Sequence, residues 1–465
     1  MTQASTGFIK FPKVKKNLLN ILFFIGCIFA VTHILAGGEK EPALATGGTL
    51  IVVTSFFLVL YLFLLQFRKE VLQVARKTFF ILLAIIIFLL ITRIVSEQPR
   101  ENLIFIVPFA IIPVIIRTFY DARMALFILL ITIMLAGFMI PDPFGFILMS
   151  FITGMAAIFT LNNNYKHLKL LFTSLMVIFS YSVIYLGICL MRNIPVDKTV
   201  LSNLPLIAAN GALVLVSFPL IFMFEQKFLF LSESTLLELA DTNQPLLRKL
   251  AEEAPGSFQH SLQVANLAEE AARAIGANLL LVRTGALYHD IGKIANPDYY
   301  IENQTDGSSP HESLNPKESS KVIINHVRNG VVLAKNYKIP VQIIDFIRTH
   351  HGTSVAYYFY KKFIDQNPGK RDMEAEFAYP GPKPFSKETA VVMMADAVEA
   401  SSRSLVKYTE ESISELVERI LYIQEQDGQF SDVPLTFKDM SDIKSVFRKR
   451  LSNIYHVRIA YPERT

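Results

Sequence analysis

The first 225 residues are dominated by runs of Leu, Ile, Phe, Val and Met long enough to cross a bilayer, and few of these runs contain a charge. A helix rises about 1.5 Å per residue, so about 17–25 apolar residues span the hydrocarbon core. Eight spans are expected, at 17–36, 47–67, 78–96, 103–117, 124–140, 144–162, 168–190 and 203–224. The fourth is the shortest and carries Pro108 and Pro113, which a membrane helix tolerates when neighbours satisfy the freed carbonyls. Of the 465 residues 52% are hydrophobic, too many for a purely soluble protein, and most charges lie after residue 240. A membrane half followed by a soluble half is the expected organisation.

Basic residues set the orientation. Lys10, Lys13, Lys15 and Lys16 precede the first run, and Arg68, Lys69, Arg76 and Lys77 follow the second. Arg117 and Arg123 lie in the fourth-to-fifth connection, and Lys166 and Lys169 in the sixth-to-seventh. The alternate connections are poorer in Lys and Arg, although Arg192 and Lys198 run against the pattern. By the positive-inside rule both termini are cytoplasmic, which eight spans satisfy. The first run is read as an uncleaved anchor, because its apolar stretch is long and no small-x-small cleavage site follows. Few ionisable groups lie deep in the spans, which argues against a transporter. The net charge of +5 is small and reports topology rather than nucleic-acid binding. Both cysteines, Cys27 and Cys189, fall in apolar runs, so neither a disulfide framework nor thiolate ligation of the soluble half is expected.

The expected domains are a tail at 1–16, a membrane domain at 17–225, a connecting helix at 226–250 and a soluble domain at 251–465. The connecting stretch, Phe228 to Leu250, has apolar residues at helical spacing broken near Pro245. It is either a transmitter of motion or a covering helix. The soluble half has few strand signals and repeated period-3.6 patterning, with Ser257 as one expected N-cap.

Five of the nine histidines stand in this half at suggestive places: His260, His289, His326, His350 and His351. His260 shares a helical face with Val264, Leu267, Ala268 and Ala271, so its ring points inward. His289 and Asp290 are adjacent, about 100° apart around a helix, and can reach one site from a single turn. Gly292 then lets the chain turn or approach another element closely, and Lys293 is placed as a cation near an anionic substrate. His326 ends an apolar stretch, and His350-His351 close another before Gly352. Asp396 sits in the apolar helix Thr389 to Val398, where an unpaired buried carboxylate would cost several kcal/mol. Imidazole and carboxylate are ligands that transition metals favour, and seven such groups suit two ions sharing a carboxylate. Single histidines in such positions are usually packed core or surface residues. His311, in a loop, could approach a substrate but is read as a surface residue, His456 has no metal-like companions, and His33 and His167 lie near membrane borders; none is assigned a role.

These phrases resemble the HD-domain metal phosphohydrolases, from about Leu236 to Leu405. More closely the chain is similar to the seven-transmembrane receptors with an intracellular HD hydrolase domain, the PgpH type of cyclic di-AMP phosphodiesterase. The likeness is carried by APGSFQHSLQVANLAEEAA, IGANLLLVRTGALYHDIGKI, YYIENQ, HHGTSVAYYFY and YPGPKPFSKETAVVMMADAVEA, together with one anchor plus seven spans. The resemblance implies an all-α chain: a multi-span helical membrane domain followed by a cytoplasmic all-helical HD domain. It implies two divalent ions, manganese or iron. His260, His289, Asp290 and Asp396 would hold one; His326, His350 and His351 would hold the second, with Asp290 bridging. Catalytic roles fall to Asp290 and Lys293. The implied reaction hydrolyses cyclic di-AMP to pApA, in the cell membrane.

One departure is large. Family members carry a sizeable extracytoplasmic domain between the first two spans, whereas here only Gly37 to Thr46 connects them. Sensing of an external ligand through such a domain is therefore not expected. A cyclic di-GMP hydrolase is disfavoured, because Thr353-Ser354 follow His351-Gly352 where that branch has Gly-Tyr-Pro. The remaining alternatives are hydrolysis of another nucleotide and a non-catalytic nucleotide-binding receptor. Expected partners are a cyclic dinucleotide and the lipid bilayer, with no nucleic-acid polymer; a homo-oligomer is compatible with the sequence. The Tyr357-Tyr358-Phe359-Tyr360 stretch is assigned to helix packing rather than base stacking.

Overall fold

The computed structural model describes residues 13–37, 42–161, 167–304, 309–369 and 371–455. The chain divides into two compact units, Met1–Ser234 and Thr235–Thr465, both built from helices. Among the described residues the only extended pairing is an antiparallel bridge between Val355 and Ala378. The all-α expectation is met.

Among the described residues of the first unit seven segments are long and apolar enough to cross a membrane: Leu18–Ala36, Ala43–Phe67, Ala75–Ser96, Glu101–Phe119, Pro143–Thr160, Lys169–Met191 and Lys198–Phe228. The eighth expected span, 124–140, is instead the shorter helix Ala122–Gly137. Residues 138–140 turn ahead of Pro141, whose ring pushes its predecessor out of the helical region. At 16 residues this helix is about 24 Å long, and most of its side chains are buried. The expectation of eight full spans is thus corrected to seven and one short, enclosed helix. Leu58, Leu62, Phe172, Phe179 and Leu190 face outward, as they would towards acyl chains.

Prolines break two spans, and the freed backbone groups find partners. Glu101–Ile106 is a 3₁₀ turn, and the α-helix resumes only at Ile111–Phe119. Between them Asn210 Nδ2 donates to the carbonyls of Phe105, at 3.0 Å, and Val107, at 2.7 Å. The last span divides into Leu204–Leu213, a 3₁₀ turn Val214–Val216 and Ser217–Phe228. Pro219 lacks the N–H that would bond the Leu215 carbonyl, and the 3₁₀ turn accommodates that loss.

The connecting helix expected at 226–250 is replaced by two short helices, Glu233–Leu239 and Pro245–Glu253. Pro245 opens the second of these rather than breaking a continuous helix. Leu236, Leu246, Leu247 and Leu250 are buried. Thr284 Oγ1 donates to the Leu236 carbonyl at 3.2 Å, and the Tyr288 hydroxyl to that of Leu239 at 3.1 Å. Of the two readings of this stretch, these contacts fit the covering one.

In the second unit the helices Pro255–Ala274, Leu279–Tyr288, Pro316–Asn336, Val341–Thr349 and Lys387–Ser402 bring together the histidine-bearing segments. The first begins at Pro255 with Ala254 as N-cap, so Ser257 is not the cap. Its hydroxyl instead donates to Glu302 Oε1 at 2.9 Å. Gly292 sits where an added Cβ would come within 1.8 Å of the His326 carbonyl oxygen, and this close approach seats His289-Asp290 against the helix of His326.

Candidate dinuclear metal centre

Four of the five histidines are buried, and His351 keeps 28% of its side chain exposed. His289, His326 and His350 are oriented alike. Each Nδ1–H donates to a carbonyl three residues earlier on its own helix: Ala286 at 2.6 Å, Ile323 at 2.6 Å and Ile347 at 2.9 Å. A carbonyl only accepts, so in the neutral ring each Nε2 is left as a bare lone pair facing the site. His326 Nε2 and His350 Nε2 are nevertheless 3.0 Å apart.

Asp290 lies between two sets of ligand-type atoms. Its Oδ2 is 3.3 Å from His289 Nε2 and 3.6 Å from His260 Nε2. Its Oδ1 is 3.4 Å from His326 Nε2 and 3.7 Å from His350 Nε2. Asp396 Oδ1 is 2.9 Å from His260 Nε2 and 3.7 Å from His289 Nε2, and its Oδ2 is 3.8 Å from His351 Nδ1. Two clusters of mutually close ligand atoms result: His260, His289 and Asp396, and His326, His350 and His351. All seven residues singled out in the sequence meet in one place.

The donor set fits divalent metal. His289 Nε2 and Asp290 Oδ1 are buried without a hydrogen-bond partner, an arrangement costly in a dry interior unless a cation completes it. Burial holds His326 and His350 below the ordinary imidazole range, and pushes His351 down to about 3. Those rings are therefore neutral, the form that binds metal. Burial opposes ionisation of Asp290, but Lys293 and the surrounding histidines outweigh it and hold the carboxyl well below its usual range.

Lys293 is not the free cation the sequence suggested. Its Nζ is 2.8 Å from Asp290 Oδ2 and 2.7 Å from Glu302 Oε1, so two carboxylates already share its charge. It still lines a cavity of about 1200 Å³ that opens over His260, Asp290, His350, His351 and Asp396. Tyr357 also lines this cavity, and Tyr357 and Tyr358 are 66% and 72% exposed, so the helix-packing reading holds only for Phe359, whose ring meets His311, and Tyr360, whose ring meets Phe377. His311 stays apart, with its Nε2 3.0 Å from the Tyr299 carbonyl. His456 lies outside the described residues.

Sequence reasoning missed Glu302 and Glu399. Glu302 anchors both Lys293 and Ser257. Glu399 Oε2 lies 2.5 Å from His260 Nδ1. The signal for Glu399 was available: it follows Asp396 by one helical turn in the same apolar helix, where a second buried carboxylate also needs a partner.

Two family models match the chain: 7TM receptor with intracellular HD hydrolase over residues 43–232, and HD domain over residues 257–401. A cyclic-di-AMP phosphodiesterase PgpH of Bacillus subtilis is 35% identical over 90% of this chain and 60% of its own length. The protein of that name from Listeria monocytogenes is 32% identical over 91% of this chain and 60% of its own. The chain thus spans about 60% of the length of these relatives. A crystal structure of the L. monocytogenes PgpH HD domain with cyclic-di-AMP is 42% identical, covering 46% of this chain and all of that one, with a TM-score of 0.45. With the receptor model on its apolar half and the HD model on its histidine-bearing half, this multi-pass membrane chain carries a 7TM-receptor domain followed by an HD domain.

Proposed function

We propose that this chain is a membrane-anchored phosphodiesterase that hydrolyses cyclic di-AMP to linear pApA at a dinuclear centre. The observation that carries the proposal is the pairing of His326 Nε2 with His350 Nε2 at 3.0 Å beside Asp290, whose two oxygens face different histidine sets. Lone pairs held so close in a buried site call for a shared cation. His260, His289, Asp290 and Asp396 are assigned to one ion and His326, His350, His351 and Asp290 to the other, with manganese or iron suited to this donor set. A bound pair of divalent ions supplies an activated water and neutralises charge developing on the phosphate.

The chain's residues do the rest. Lys293 keeps Asp290 ionised and holds it in place at the cavity wall. The cavity of about 1200 Å³ holds a dinucleotide-sized ligand, with Met393, Ile420 and Ile423 offering apolar surface and Thr353, Ser354 and Ser401 hydroxyls. In the reaction water adds to phosphorus, the bond from phosphorus to the ribose 3′ oxygen breaks, and a proton passes to that oxygen. The basic connections that alternate along the membrane half support a cytoplasmic HD domain. The curated relatives' names, and their identity across both halves, support the choice of cyclic di-AMP.

The test is the full chain, purified in detergent with manganese, offered cyclic di-AMP, cyclic di-GMP and a guanosine alarmone. Preferential conversion of cyclic di-AMP to pApA is expected. Preference for either competitor would reassign the substrate, and no turnover by metal-loaded protein would point to a binding receptor.

A further inference from the structure

The centre's histidines are not equivalent, and the difference lies behind the rings. His289, His326 and His350 rest their Nδ1 protons on neutral backbone carbonyls. His260 instead faces a carboxylate, with Glu399 Oε2 2.5 Å from its Nδ1. Glu399 is itself 6% exposed, and its other oxygen accepts from Arg403 Nε at 2.9 Å and Nη2 at 2.6 Å. Arg403 sits one turn further along the same helix axis and reaches the rim of the large cavity. A row therefore runs inward from the exposed guanidinium to the buried carboxylate and imidazole, and ends at Asp396 Oδ1, 2.9 Å from His260 Nε2.

A carboxylate behind a ligating imidazole fixes its tautomer and makes the outward nitrogen a better donor. The cationic Arg403 offsets the cost of burying Glu399. In the other cluster His326 and His350 have only carbonyls behind them. We infer that Glu399, held by Arg403, is a positioning residue that makes the His260, His289 and Asp396 half of the centre the tighter metal position. This rests on the dinuclear reading above and adds an order of loading to it.

The experiment uses the full chain in detergent, stripped of metal and titrated with Mn²⁺ while free Mn²⁺ is counted by paramagnetic resonance. Wild type should take up two equivalents in two steps. In a His326→Ala background, which leaves the His260 half, Glu399→Gln should weaken binding by about 10–100-fold, the range for an outer partner of a ligand. In a His289→Ala background the same change should leave the remaining step in place. Glu399→Asp, which keeps the carboxylate, should recover part of the loss and serves as the comparison if Glu399→Gln loses its helical circular dichroism. Equal shifts in both backgrounds, or none in the first, would overturn the assignment. A wild type that binds no Mn²⁺ would instead overturn the dinuclear reading, and the assignment with it.

Discussion

His326 Nε2 lies 3.0 Å from His350 Nε2, and both rings have their Nδ1 protons engaged by backbone carbonyls. Burial keeps a second proton off either ring. Two neutral acceptors are thus pressed together where neither can satisfy the other. The fold holds them there through helices Pro316–Asn336 and Val341–Thr349, so the strain belongs to the metal-free protein and is relieved by a cation.

Metal should therefore stabilise the fold. At about 100 times Kd a single ion contributes about 2.7 kcal/mol, and about 2–4 °C of midpoint accompanies each kcal/mol in a unit of this size. Helical circular dichroism in detergent, followed on heating with Mn²⁺ and with chelator, should show the difference. Identical midpoints would argue against a metal-linked core.

Lys293→Met should destabilise the metal-free protein strongly. The substitution leaves Asp290 and Glu302 buried without their cation, and breaking such a pair costs about 3–5 kcal/mol. Glu302→Gln should cost less, because Asp290 still partners Lys293. Denaturant midpoints in the absence of metal compare the two variants, and a larger loss for Glu302→Gln would reverse the argument.

Gly292→Ala should damage the centre without touching a ligand. The added Cβ would meet the His326 carbonyl oxygen at 1.8 Å, so His289-Asp290 and the His326 helix must part. A loss of about 1–3 kcal/mol, typical of overpacking, is expected together with weaker Mn²⁺ uptake. Wild-type stability and uptake in this variant would contradict the close approach.

In the membrane unit Asn210→Leu should cost about 1–3 kcal/mol, because it strands the Phe105 carbonyl and takes from Val107 one of the two donors to its carbonyl, at the break in the fourth span. Thermal aggregation in detergent reads this loss, while Mn²⁺ uptake by the other unit should stay unchanged. Unchanged aggregation would mean that water serves those carbonyls equally well.

The ligand constellation was legible because each member broke a local rule: an inward histidine, paired histidines before glycine, a carboxylate in an apolar helix. Residues that obey local rules were harder to read. Glu399 passed unremarked one turn after Asp396, and its place behind His260 is set by the fold. Lys293 was correctly placed near the site, but its ion pair with Glu302 depends on a turn that spacing does not encode. Apolar runs located the spans well, yet their ends depended on proline and enclosure, as the short helix Ala122–Gly137 shows. Ser257 followed a plausible capping pattern, but Pro255 opened the helix earlier and Glu302 took its hydroxyl.

Asp290 faces both halves of the centre, so its loss is the most direct test of a dinuclear hydrolase. Cyclic di-AMP would be incubated with detergent-purified full chain and Mn²⁺, as wild type and as Asp290→Ala, and pApA followed by chromatography. Wild type should yield pApA, and turnover by Asp290→Ala should fall well beyond the roughly 10–100-fold typical of losing an outer partner. Equal turnover by the two proteins, or intact cyclic di-AMP with wild type carrying two metal equivalents, would contradict that reading.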